Sequence, residues 1–114
     1  MISKNAAARF SWTWHIYEME TWDEDYFNME VQAYIKINSS GSGEFQFGLV
    51  FGQLYGEVEK YGGDERFEFT WGGNDECDPA SGSGWPRLRD ENIMEGKINI
   101  HHADSSKLLA KRAK

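Results

Sequence analysis

Apolar and polar residues alternate along much of this chain, with the period of two that is typical of half-buried β-strands. In residues 27–38 the odd positions are Phe, Met, Val, Ala, Ile and Ile, and the even positions are Asn, Glu, Gln, Tyr, Lys and Asn. Residues 45–51 alternate in the same way after a turn at 38–43, although Val50 interrupts their polar face. The two runs predict a β-hairpin.

The same period predicts strands on both sides of this hairpin. Residues 10–19 place an aromatic stripe on the expected core face, formed by Phe10, Trp12, Trp14 and Ile16. Residues 54–61 and 66–71 predict two strands joined by a turn at Gly62 and Gly63, because glycine tolerates the positive φ of tight hairpins. In the second of these strands the residues expected to point inward are Phe67, Phe69 and Trp71.

The last third of the chain predicts two or three more strands. Residues 85–89 predict a short edge strand, since its proline has no N–H to donate to a ladder. Residues 93–101 predict a strand whose core face holds Met94, Gly96, Ile98 and Ile100. Residues 105–113 fit either a helix, with Asp104 or Ser105 as its N-cap, or a final strand.

Seven or eight short strands in sequence order predict an all-β fold, an antiparallel meander. We expect the meander to close into a small barrel, because closure removes the exposed strand edges that promote aggregation. A β-sandwich is the alternative. The length of 114 residues fits a single domain over residues 1–114. We expect residues 1–8 to be loosely ordered.

Residues 72–84 interrupt the strand pattern. They contain three acids, the only cysteine, a proline and four glycines. This composition predicts a long ordered loop held at its ends by Trp71 and Trp85, and loops of such length are usually functional or disordered. Cys77 has an acid on each side, which disfavours the thiolate that a nucleophile needs. We therefore expect Cys77 to be a buried structural residue.

Net charge narrows the range of partners. The chain carries a net charge of −7, and residues 1–104 hold eight Lys and Arg against nineteen Asp and Glu, a net charge of −11. An acidic body repels phosphate backbones, so nucleic acid is not an expected partner. A single cysteine excludes an internal disulfide and suits the cytoplasm. Without an apolar run of ~18 residues or a secretory signal, we expect a cytoplasmic protein with no membrane span.

Two acidic segments rich in aromatic residues are the candidate binding residues. We expect them to form a rim at the barrel mouth that receives a basic peptide or a cationic ligand. A cavity would indicate a small ligand, whereas a filled barrel with an exposed apolar patch would indicate a protein partner, including a second copy in a homodimer. The residues of this rim are Trp22, Asp23, Asp25, Tyr26, Asp75, Glu76, Asp78 and Trp85.

No metal or cofactor is expected. The spacing of Asp75, Glu76 and Asp78 does not match a calcium-binding loop. His101 and His102 are neighbours in sequence, so in a strand they would point to opposite faces and could not bind one ion as a pair.

An enzymatic function is the alternative to binding. It would be a small hydrolase or lyase that uses acids together with His15 or His101. Glu18 and Glu20 share a predicted strand face at roughly 6–7 Å, near the separation of glycosidase carboxylates. Adjacent outward acids are nevertheless ordinary solvated surface, and the chain has no Walker loop, Rossmann fingerprint, zinc spacing or nucleophile–base motif. A non-catalytic binding or interaction domain is therefore the main prediction.

Two segments of the chain resemble a family of small, acidic, uncharacterised bacterial β proteins. These are the segment Phe-Gln-Phe-Gly-Leu-Val at 45–50 and the segment 66–85, which contains Trp-Gly-Gly-Asn-Asp-Glu-Cys-Asp-Pro-Ala-Ser-Gly-Ser-Gly-Trp. Residues 19–28 and 96–110 are similar to the same family, so the resemblance covers most of the chain. Some members look like the cargo of mobile gene cassettes. The resemblance brings no catalytic residues, and it implies that residues 105–113 form a strand.

Overall fold

The computed structural model describes residues 8–113, which form eight strands and one short helix. The strands follow one another around a closed antiparallel barrel, and β8 pairs with β1 to complete it. The predicted meander, its closure into a barrel and a final strand over most of 105–113 are confirmed. The prediction of loose order at the N-terminus falls, except for residue 8, outside the described residues. The elements are β1 Thr13–Met19, α1 Glu24–Phe27, β2 Tyr34–Ile37, β3 Ser42–Phe47, β4 Val50–Tyr61, β5 Asp64–Asp75, β6 Asp78–Leu88, β7 Ile93–Ile100 and β8 Ser105–Arg112.

Large side chains fill the interior of the barrel. Phe67, Phe69 and Trp71 point inward from β5, as their alternation predicts. Phe45 lies among them, with its ring centroid 5.0 Å from that of Trp71 and 6.5 Å from that of Phe69. Its ring is also 5.9 Å from that of Phe47. Aromatic packing of this kind adds to the hydrophobic stabilisation of the core.

Aromatic residues from outside the strands cover both ends of the barrel. At one end Phe10 is buried 5.8 Å from the ring of Phe67, and its carbonyl accepts a 3.0 Å hydrogen bond from Nε1 of Trp14. At the other end Phe27 of α1 is buried. Nearby, the ring of Trp22 lies 5.0 Å from that of Phe47. The interior of the barrel is thus a packed hydrophobic core.

The strand predicted over residues 27–38 is largely wrong. Only Tyr34–Ile37 forms a strand, and α1 ends at Phe27. The residues between them are held by side chains that bond to the backbone, since Oδ1 of Asn28 accepts from the N–H of Ala33 at 2.8 Å. Such local hydrogen bonds compete with a strand ladder. Met29 and Val31, expected in the core, are therefore exposed.

The strand predicted over residues 45–51 contains a turn. β3 ends at Phe47 and β4 begins at Val50, and Phe47 and Val50 pair with each other. Gly48 adopts the left-handed conformation with φ +57° that such a turn requires. The turn switches the inward face from odd to even positions, so that Val50 is buried while Phe51 is only half-buried. The irregular Val50 in the sequence pattern marked this switch.

Trp12 does not belong to the predicted core stripe. β1 begins at Thr13, and Trp12 is 45% exposed with the guanidinium of Arg112 lying 3.9 Å from its ring centroid. Trp14 and Ile16 are buried as expected. Trp12 lies before the strand, so the period-two alternation does not govern its side chain.

Residues 72–84 are not a loop. β5 runs to Asp75 and β6 begins at Asp78, so the only turn is Glu76 and Cys77. Two of the glycines are there for close packing: a Cβ on Gly73 or Gly82 would collide with a neighbouring strand's carbonyl. The irregular composition therefore reflects a tightly paired hairpin, and Cys77, expected to be buried, is exposed at its tip.

The two tryptophans that were expected to anchor this segment lie on opposite sides of the barrel wall. Trp71 is inside, and its Nε1 donates to the carbonyl of Asn99 at 3.1 Å. Trp85 is on the outer side, where the guanidinium of Arg66 lies 4.0 Å from its ring centroid. The predicted edge strand 85–89 is the end of β6, in a stretch that pairs with β7 but no longer with β5.

Two tyrosines on the outer wall donate hydrogen bonds to carboxylates. Tyr34 donates a 2.5 Å hydrogen bond to Glu44, and burial together with this bond raises the pKa of Tyr34 to about 12. Tyr61 donates to Glu68, and that hydrogen bond raises the pKa of Tyr61 as well. Both phenols therefore remain protonated donors at neutral pH.

Among residues 8–113, no helix has the length and apolar character needed to cross a membrane.

Candidate functional site

The turn between β3 and β4 connects the two predicted acidic segments. The backbone N–H of Gly48 donates to the carbonyl of Phe27 at 2.9 Å, and that of Leu49 donates to the hydroxyl of Tyr26 at 3.3 Å. On the other side of the turn, the N–H of Glu76 donates to the carbonyl of Leu49 at 2.8 Å. The helix α1 and the tip of the β5–β6 hairpin therefore flank one two-residue turn. We call this the acidic end, formed by residues 20–33, 48–49 and 75–78.

The helix α1 owes its position to capping and aromatic packing. Asp23 is its N-cap, and its carboxylate accepts from the N–H of Tyr26 at 3.2 Å. Glu24 and Asp25 follow in the first turn, where the helix dipole favours negative charge. The ring of Trp22 stacks 6.0 Å from that of Tyr26. The acids are thereby held on the surface while the aromatic rings face the barrel.

The hairpin tip presents three more acids. Asp75 and Asp78 are directly opposite each other in the β5–β6 ladder, where like charges destabilise a sheet. Glu76 lies between them with φ 59°, and its carbonyl accepts from Nδ2 of Asn74 at 2.9 Å. All three acidic side chains are exposed. The turn is thus fixed by hydrogen bonds, and its charges point to solvent.

Among residues 8–113, no acid of the acidic end takes part in a salt bridge, although Lys107 of β8 is a backbone neighbour of Glu20. Residues 20–33 and 75–78 contain eight acids and no lysine or arginine. The salt bridges found among residues 8–113 use other acids, namely Asp64, Glu65 and Glu95. A concentration of unpaired carboxylates raises the local concentration of cations.

The structure brings seven of the eight predicted site residues to this end. They are Trp22, Asp23, Asp25, Tyr26, Asp75, Glu76 and Asp78. Trp85 is the exception, since it borders a separate groove of about 570 Å³ on the outer wall. Glu18 and Glu20 line that same groove, and Glu20 accepts a 3.3 Å hydrogen bond from the N–H of Lys107.

Among residues 8–113, neither the histidines nor the cysteine is hydrogen-bonded to an acidic side chain. Nδ1 of His101 lies 3.5 Å from Oγ of Ser81, and His15 lies on β1 opposite Tyr34. In the part of the chain that the structure describes, no hydrogen bond or salt bridge joins a histidine to a carboxylate. No group of three or more His, Cys, Asp or Glu among residues 8–113 is arranged to hold a metal ion.

Sequence reasoning missed four residues of this end. Gly48 and Leu49 form the connecting turn, and the signal for them was the break in alternation at Val50. Met29 and Val31 are exposed beside the acids. Their signal was Asn28, whose side chain bonds to the backbone in competition with a strand ladder.

The comparisons add no relative to this description. No family model, curated protein or solved structure matches the chain.

Proposed function

We propose that this protein is a non-catalytic binding domain whose acidic end receives a basic segment of a partner protein. The observation that carries the proposal is the set of hydrogen bonds through Gly48 and Leu49, because it joins two acidic segments that are about fifty residues apart in the chain. Without that turn, the two clusters would be separate solvated surfaces.

The charges and aromatic rings of the acidic end suit lysine and arginine side chains. The seven acids of residues 22–33 and 75–78, two segments that contain no lysine or arginine, supply the complementary potential that steers a cationic partner and fixes its orientation. The half-buried ring of Trp22 adds a face on which a cation can stack. A partner's cations would also relieve the repulsion between the opposed Asp75 and Asp78.

The shape of the protein favours a protein partner over a small ligand. The interior is filled by buried side chains, so the barrel offers no internal chamber of the kind that a small ligand would occupy. The acidic end instead carries exposed apolar residues, among them Met29 and Val31. Its backbone is fixed by hydrogen bonds, which reduces the entropy lost on binding.

The test uses hexalysine as the probe at low ionic strength, with affinity measured by fluorescence anisotropy of the labelled peptide. Asp75, Glu76 and Asp78 are changed together in the variant D75N/E76Q/D78N. Three lost ion pairs, each worth about 0.5 kcal/mol at an exposed site, weaken binding about tenfold. Binding by the unmodified protein is also expected to weaken as salt is added.

The control variant E57Q/E59Q/E91Q makes the same change in net charge away from the acidic end. These three glutamates are exposed, two on β4 and one in the β6–β7 connection. The control is expected to change affinity by less than a factor of about three, because distant exposed charges are largely screened. Equal weakening in both variants, or none in either, would contradict the proposal. Circular dichroism confirms that both variants fold.

A further inference from the structure

The connection between α1 and β2 holds two apolar side chains in solvent. Met29 is 53% exposed and Val31 is 44% exposed, and Glu30 lies between them. We call Met29 and Val31 the apolar pair. The N–H of Met29 donates to the carbonyl of Tyr26 at 3.1 Å, which fixes the start of the connection. A hydrogen bond from Ala33 to Asn28 fixes its end.

The apolar pair belongs to the acidic end. The carbonyl of Phe27, two residues before Met29, accepts the hydrogen bond from Gly48 of the connecting turn. Asp25 and Glu30 lie on either side of Met29 in the chain and are exposed. Exposed apolar side chains with charged neighbours in the chain fit the organisation of protein interfaces, in which an apolar centre is bordered by a polar rim.

We infer that the basic segment bound at the acidic end is amphipathic and contacts the apolar pair with its apolar side chains. This inference rests on the proposed function, because the acids must attract the segment first. The segment must be basic, since an acidic one would be repelled by the same carboxylates. It must also carry apolar groups, because a purely polar cation would leave Met29 and Val31 in water.

The chemistry of the pair fits such a contact. Methionine has a flexible, polarisable side chain that adapts to varied partners. An amphipathic helix presents apolar side chains on one stripe and lysines on the other, so a single helix meets both features of the acidic end.

The experiment compares two peptides of equal charge. One is a leucine–lysine peptide of about 14 residues, roughly four helical turns, and the other has every leucine replaced by glutamine. The protein is expected to bind the leucine–lysine peptide about tenfold more tightly. The variant M29Q/V31Q is expected to lose that preference and to bind the glutamine–lysine peptide as the unmodified protein does.

The control variant is Tyr55→Gln, because Tyr55 is also a large exposed side chain, 58% exposed, but lies on the outer wall at β4. It is expected to keep the full preference for the leucine–lysine peptide. A loss of preference in this variant would place the apolar contact on the wall and overturn the inference.

The outcomes separate this inference from the proposed function. If both peptides bind equally to the unmodified protein, or if M29Q/V31Q keeps the preference, the inference is wrong while charge-driven binding stands. If neither peptide binds at low ionic strength, the proposed function fails and the inference fails with it. An unchanged circular dichroism spectrum of M29Q/V31Q excludes unfolding as the cause of a lost preference for the leucine–lysine peptide. We expect the variant to fold, because both side chains are exposed.

Discussion

Replacing Phe45 with alanine is expected to lower the free energy of unfolding by about 3–5 kcal/mol, as truncation of a buried phenylalanine typically does. Phe45 is fully buried, and its ring contacts Phe47, Phe69 and Trp71. Because the closed barrel cannot collapse far around the missing ring, a cavity adds to the loss of apolar burial. A domain is stable by only about 5–15 kcal/mol in total, so the variant should be close to its unfolding limit. Urea denaturation measures the difference.

Phe51 provides the matched control in the adjacent strand. It is half-buried on β4 and pairs with Gln46 and Asn74, outside the core cluster. Phe51→Ala is expected to lose only about 1 kcal/mol, since part of its surface already contacts water. An equal loss in the two variants would show that the interior of the barrel is not the main source of stability.

Gly48→Ala is expected to lower the free energy of unfolding by about 2–5 kcal/mol. An alanine at the positive φ of Gly48 accounts for about 1–2 kcal/mol of this loss of stability. An added Cβ would also collide with the ring of Tyr26, and overpacking typically contributes about 1–3 kcal/mol. Tyr26 holds α1 against the barrel, so its displacement should also weaken hexalysine binding.

Gly62→Ala isolates the contribution of backbone conformation. Gly62 also has a positive φ, at 64°, but nothing lies within 4 Å of an added Cβ. This variant is expected to lose only the conformational part, about 1–2 kcal/mol, and to bind hexalysine normally. If Gly48→Ala is no less stable than Gly62→Ala, the contact between Tyr26 and the turn does not hold the acidic end together.

The alternation of apolar and polar residues predicted the strands well where the inward face stays on the same alternate positions along the whole strand. In β5 the inward residues Phe67, Phe69 and Trp71 follow from the sequence, because burial fixes every second position. The prediction was wrong where local chemistry competed with that pattern. A connection held by the side chain of Asn28 replaced the first half of the strand predicted at 27–38, and the turn at Gly48 reversed the inward face.

The hairpin of β5 and β6 was mistaken for a loop for a related reason. Glycine is normally a sign of turns, but Gly73 and Gly82 are required by close backbone approach between paired strands. That requirement depends on how strands coil around the closed barrel and cannot be read from neighbours in sequence. The same error placed Trp85 at the acidic end.

Most of the candidate site could still be predicted, because clustered charge is visible in the sequence. The acids around Trp22 and those of the hairpin tip were recognisable as two segments. The two acidic segments lie together because Leu49 is hydrogen-bonded to both of them. The order of strands around the barrel places Leu49 between the two segments. In an eight-stranded meander, alternate connections lie at one end, which places the β1–β2, β3–β4 and β5–β6 connections together.

Mapping of backbone amide chemical shifts during a hexalysine titration tests the central claim most directly. We expect the largest shifts in residues 20–33, 48–49 and 75–78, the three segments of the acidic end. Shifts should be small on the outer wall around Trp85 and at the basic end of β8, at Lys111 and Arg112. Shifts that centre on the outer wall, or that are spread evenly over the barrel, would contradict the account.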